Sequence, residues 1–152
     1  MAQAQAKTVH DDDTVLTLTR TFAAPREAVW RAFTVAEELK RWWGPQGMTC
    51  PVAELDVRPG GRYRTEMQAP DGSVYVTTGE FREVAPPERL VLTWVWGEGE
   101  MAGHETLVTI ELRDNGGATE LTLTHERFPD AGKRDLHNQG WSSSLDCLAE
   151  IL

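Results

Sequence analysis

The stretch Arg20–Pro45, RTFAAPREAVWRAFTVAEELKRWWGP, decides how the chain begins to fold. It completes an alternating run from Thr14, TVLTLTRTF, in which Leu16, Leu18 and Phe22 share one parity and threonines the other. That is the pattern of a half-buried strand. Pro25 suits a first helical turn, and Ala28, Val29, Ala32 and Phe33 then form a helical stripe. A second short helix, AEELKRWW, stops at Gly44-Pro45. Trp42 and Trp43 stand side by side at that end. Adjacent helical residues point about 100° apart, so one apolar stripe cannot hold both rings squarely.

Downstream the pattern is strand and turn. TCPVAELDV, RYRTEMQ, VYVTTGEFREV, RLVLTWVW, HETLVTIELR and TELTLTHERF are separated by RPGG, APDGS, Pro86-Pro87, GEGEMAG and DNGGA. After Pro129 a last helix carries Trp141, Leu145, Leu148 and Leu152 at helical spacing. Strands joined by tight turns pair antiparallel, since a parallel pair needs a long crossover. The order is therefore strand, two short helices, six strands in meander and one long helix. This predicts an α+β domain with a curved antiparallel sheet of about seven strands, its apolar face covered by the C-terminal helix. Residues 1–13 read as a polar, frayed tail and residues 14–152 as a single domain, without repeat or linker.

The bulk composition excludes several partners. A formal charge of −9 disfavours a nucleic-acid backbone or an acidic membrane surface. No run approaches the ~18 apolar residues of a spanning helix, and no export signal opens the chain. Cys50 and Cys147 are far apart and form no CxxC pair, so they read as reduced thiols of a cytoplasmic protein. An exposed strand edge would be the surface for a homodimer.

Strand parity sorts the side chains. Leu90, Leu92, Trp94 and Trp96 share a face; Val108, Ile110 and Leu112 share one with His104 and Thr106; Leu121 and Leu123 share one with His125. Tyr63, Thr65 and Met67 face away from Arg62, Arg64 and Glu66. Both faces of VYVTTGEFREV are mixed, and Gly79 within it suggests a bulge or a close backbone approach. On the last helix His137 precedes Trp141 by one turn on the same side. An apolar inner surface with a few converging polar groups describes a pocket lining. It equally describes a filled core with histidines at a wet rim.

The histidines are the only inner-face groups that titrate near neutrality. In each His-Glu pair, at 104–105 and 125–126, strand alternation turns the glutamate away. GWSSS is not a nucleophile elbow, no GxGxxG or P-loop occurs, and the histidine spacing matches no metal motif. No catalytic residue, metal ligand or cofactor is assigned.

RTFAAPREAVWRAFTVAEELKRWWGP, DVRPGGRYR, GEFREVAPPERLVLTW and GWSSSLDCLAEIL occur in this order with tight spacing. Together they resemble small bacterial proteins related to the C-terminal domain of the heat-shock-protein-90 ATPase activator, of the START-like (SRPBCC, birch-pollen-allergen-like) superfamily. The resemblance runs from about Thr14 to Leu152. It implies a helix-grip fold, a sheet curled around the C-terminal helix with a cavity between them. One ring of the Trp42–Trp43 pair would plug the core end and the other would face a strand or the cavity mouth, although simple packing of both rings is the stronger expectation for so large an apolar side chain. Asp56, Arg58 and Gly60-Gly61 match the family's turn motif, a structural role. The implied function is binding of a small apolar or aromatic molecule, lined by Trp43, Met67, Trp94, Trp96, His104, His125, His137 and Trp141. The resemblance also implies two alternatives, stimulation of a chaperone ATPase and a cyclase- or hydrolase-type reaction using cavity histidines.

Overall fold

The computed structural model describes residues 7–9 and 13–152. In chain order the elements are β1 (Lys7–Val9), β2 (Val15–Phe22), α1 (Arg26–Thr34), α2 (Ala36–Leu39), β3 (Thr49–Leu55) and β4 (Arg62–Gln68). They continue as β5 (Val74–Ala85), β6 (Arg89–Trp96), β7 (Thr106–Asn115), β8 (Ala118–Glu126) and α3 (Ala131–Ile151). The strands form one antiparallel sheet in the order β1-β2-β8-β7-β6-β5-β4-β3. The meander and the long C-terminal helix are as the turn chemistry predicts. The sheet has one strand more than the seven expected, because Lys7–Val9 pairs with Thr17–Thr19. That short strand falls within the stretch read as a tail; residues 1–6 and 10–12 of the same stretch lie outside the described residues.

Alternation is clean where the sequence alternates. In β2, Leu16, Leu18, Arg20 and Phe22 are buried, and in β8 every second residue from Thr119 to His125 is buried. The β7–β8 hairpin turns through Gly116 and Gly117, both with positive φ (64° and 92°). Two successive left-handed residues match the twist of the flanking strands, and glycine takes them without a Cβ clash.

The helices are shorter than their apolar patterns. Pro25 is the N-cap of α1 rather than a first-turn residue. The α2 hydrogen-bond ladder covers only Ala36–Leu39, after which Lys40–Trp42 run on as turn. Asp130 caps α3 by accepting the Lys133 amide (2.8 Å). Trp141, Leu145 and Leu148 of α3 are buried in one cluster with Leu16, Leu18, Val108, Leu121 and Leu123 of the sheet. A buried arginine holds this packing in register. Arg20, on the inner face of β2, pairs with Asp146 and donates to the Ser142 carbonyl (3.3 Å), both on α3. A charge so far from water persists only with such partners.

Candidate functional site

Between α3 and the β4–β6 part of the sheet lies a cleft of about 370 Å³. Trp94 and Trp96 of β6, Met67 of β4 and Tyr75 of β5 contribute from the sheet. His137, Gly140, Trp141 and Ser144 contribute from α3, and Trp43 to Met48 from the segment after α2. That segment is tethered to α3, the Gln46 amide donating to Ser143 Oγ (2.8 Å). Deeper between sheet and helix, only about 20 Å³ is open, bounded by Phe33, Tyr63, Leu90, Val108 and their neighbours. Trp43 and Trp141 border both spaces and divide them.

The adjacent tryptophans therefore do different work. Trp42 faces the core, its ring edge-to-face with Phe33 (centroids 4.8 Å) and its Nε1–H donating to the Ala32 carbonyl (3.0 Å). Trp43 turns to the cleft, with Nε1–H donating to Thr65 Oγ1 (3.2 Å). Around it stand Trp141 at 5.5 Å and 84°, and Trp94 at 5.7 Å and 43°. Trp96 extends the array at 5.6 Å and 78° from Trp94. Such separations and tilts are those of favourable aromatic pairs.

Two histidines lock this array. Trp141 Nε1–H donates to His125 Nδ1 (3.0 Å), so that nitrogen carries no proton. The proton must sit on Nε2, which lies 2.7 Å from Thr106 Oγ1; Thr106 in turn donates to the Trp94 carbonyl (3.1 Å). The chain of donors is complete with a neutral ring. His137 is the opposite tautomer: Nδ1–H donates to the Lys133 carbonyl (2.7 Å), and Nε2 accepts from Trp96 Nε1–H (2.9 Å). Burial pushes the His125 pKa well below the usual value, and a charge on nearby His137 would push it further. His137 is lowered too, chiefly by burial; the Lys133 carbonyl opposes this and the Lys133 charge adds to it. Each ring nitrogen is committed, which leaves none for a metal or for proton transfer to a bound molecule.

The pH consequence has a definite sign. A histidine with a lowered folded pKa leaves the unfolded chain to take up protons first as pH falls. The stability due to the neutral rings is present above about pH 6.5 and is lost below it, down to the folded values, by up to about 1.4 kcal/mol per histidine per pH unit. Urea unfolding at pH 7.5 and 5.5 should show a lower midpoint at 5.5. An unchanged midpoint would mean that the rings take up protons as readily in the fold as in the unfolded chain.

Six of the eight expected lining residues surround the cleft: Trp43, Met67, Trp94, Trp96, His137 and Trp141. Two do not. His125 is fully buried behind Trp141 and Trp94, accepting the hydrogen bond of the Trp141 N–H and standing edge-on to the Trp94 ring. His104 is exposed, because β7 begins only at Thr106 and strand parity has no meaning before it. Its Nε2 instead donates to the Arg127 carbonyl (2.8 Å). Tyr75, Leu136, Ala69 and Met48 also line the cleft, and the sequence pattern does not mark them. Tyr75 lies in the strand whose faces were mixed, and Leu136 is 60% exposed at the rim, outside the apolar stripe of α3.

A curled antiparallel sheet with two short helices near its start and one long C-terminal helix is the helix-grip architecture of the START-like class. Within it, residues 23–152 match the family described as Activator of Hsp90 ATPase homolog 1-like protein, and the chain belongs to that family. Similar solved structures include a protein from Chromobacterium violaceum, 32% identical, with TM-score 0.81 over 91% of this chain and 96% of that one. A protein from Nitrosomonas europaea is 31% identical, with TM-score 0.80 over 94% and 96%. The AHSA1 protein from Silicibacter pomeroyi is 31% identical, with TM-score 0.79 over 90% and 96%. No curated protein sequence matches the chain.

Proposed function

We propose that this protein binds a small apolar or aromatic molecule in the cleft between β4–β6 and α3. The observation that carries the reading is an open volume of about 370 Å³ walled by four tryptophans, a tyrosine and two methionines. A core would close on such side chains, and the space beyond Trp43 and Trp141 has done so. The volume lies toward the small end of ligand pockets, roughly 300–1,000 Å³. Methionine adds an adaptable surface. Catalysis by His125 and His137 is disfavoured because their four ring nitrogens are already bonded, and His104 lies away from the cleft.

The test is a block of the cleft that spares the fold. Gly140 lines the cleft from within α3, and a Cβ there would meet nothing within 4 Å. Gly140→Leu also replaces a poor helix former by a good one. The neutral dye N-phenyl-1-naphthylamine should bind the wild type saturably at one site, with affinity at least about tenfold weaker in Gly140→Leu, a loss of ~1.4 kcal/mol. Equal binding by both proteins, or no binding by the wild type, would overturn the proposal.

A further inference from the structure

We propose that the cleft selects an organic cation, a quaternary ammonium group carried on a small apolar body. This rests on the cleft being a ligand site and narrows its occupant. Three features of the wall favour positive charge over neutral or negative groups.

The first is the use of the indole donors. Trp43, Trp96 and Trp141 each spend their N–H on a protein acceptor, Thr65, His137 and His125 respectively. Among the described residues the Trp94 N–H has no hydrogen-bond partner, and it is covered by its surroundings. A carboxylate or phosphate entering the cleft would meet few donors, and among the described residues no Lys or Arg lines it. What these indoles can offer is ring surface, whose quadrupole attracts cations.

The second feature is the shape of the wall. Trp43 and Trp141 meet at 84°, and Trp94 and Trp96 at 78°. Rings set nearly at right angles make corners, so a compact, roughly spherical group can touch two walls together. The N–H bonds fix three of these rings in advance, which lowers the cost of ordering them around a ligand. A tetraalkylammonium needs no hydrogen-bond acceptor from the wall. A primary ammonium would need one.

The third is the surrounding charge. The chain carries a net −9. Asp71 lies in the turn that follows Ala69, and Glu98 accepts the Val76 amide beside Tyr75, so carboxylates flank two lining residues. Lys133, one turn before His137 on α3, is engaged by Glu100. His137 itself is kept neutral chiefly by burial, and its Nε2 accepts the Trp96 N–H.

The experiment compares two molecules of nearly the same shape, benzyltrimethylammonium and neopentylbenzene, in which a neutral carbon replaces the charged nitrogen. Each is titrated into the full chain by calorimetry, with competition against N-phenyl-1-naphthylamine. The cation should bind at least about tenfold more tightly than its neutral counterpart. That preference should shrink in Trp96→Leu, a substitution at a partly exposed wall residue. Equal or weaker binding of the cation, while the dye binds and Gly140→Leu blocks it, overturns the cation selectivity and leaves the ligand-binding reading standing. If neither the dye nor either probe binds, both proposals fail.

Discussion

Replacing Trp141 by alanine is expected to cost about 3–5 kcal/mol of folding stability. The residue is only 6% exposed although it forms part of the cleft wall. One side of the ring packs against Trp43 (5.5 Å), Trp94 (5.2 Å) and His125 (6.3 Å), and the remainder borders open space. Filling the core and lining the cleft are thus not alternatives for this side chain. Truncation also removes the donor to His125 Nδ1, leaving a fully buried acceptor unpaired. For a chain of this length each kcal/mol lowers Tm by about 2–4 °C. Trp141→Phe separates the contributions. It retains an aromatic ring but loses the N–H, and should cost about 1–3 kcal/mol through the orphaned His125 nitrogen. Thermal and urea unfolding of both variants check the ordering. A loss below about 1 kcal/mol for Trp141→Ala would mean that α3 is not held through this ring.

How much of this was legible in the sequence depends on how local the determining interaction is. Strand alternation and turn chemistry gave the meander, because period-2 burial and tight turns act over a few residues. The Trp42–Trp43 pair could be read as serving two surfaces, since helical geometry alone forbids a shared one. Arg20 shares parity with Leu16, Leu18 and Phe22, and its burial depends on Asp146, 126 residues away. No local pattern announces such a partner. The histidines show the same limit. Their side of the sheet or helix was readable for His125 and His137, but their tautomers follow from hydrogen bonds across the fold, as does the loss of their acid–base capacity. His104 shows the opposite failure: it stands two residues before β7 begins at Thr106, where strand parity does not apply.

Gly79 carries the other large expected effect. Its isolated glycine in a strand pattern reads as a bulge or a close approach, and the structure has both close together. The β5–β6 register shifts between Phe81 and Glu83. A Cβ built on Gly79 would lie 2.1 Å from the Thr93 carbonyl oxygen and 2.6 Å from the Tyr63 ring. The same carbonyl accepts the Tyr63 hydroxyl (2.5 Å), and Thr93 Oγ1 accepts the Glu80 amide (2.8 Å). Because the obstruction is backbone, it cannot move aside as a flexible side chain could. Gly79→Ala must part β5 from β6 or displace Tyr63, and either breaks a buried hydrogen bond. The expected loss is about 3 kcal/mol or more, at or beyond the upper end for overpacking. Gly140→Ala is the contrasting substitution, with open space around its Cβ and a helical backbone. It should raise stability by about 0.5–1 kcal/mol. Opposite signs for two glycine-to-alanine changes would show that close approach, rather than backbone freedom, keeps glycine at position 79. Similar small effects at both sites would mean that β5 and β6 do not meet as closely there as Thr93 and Tyr63 require.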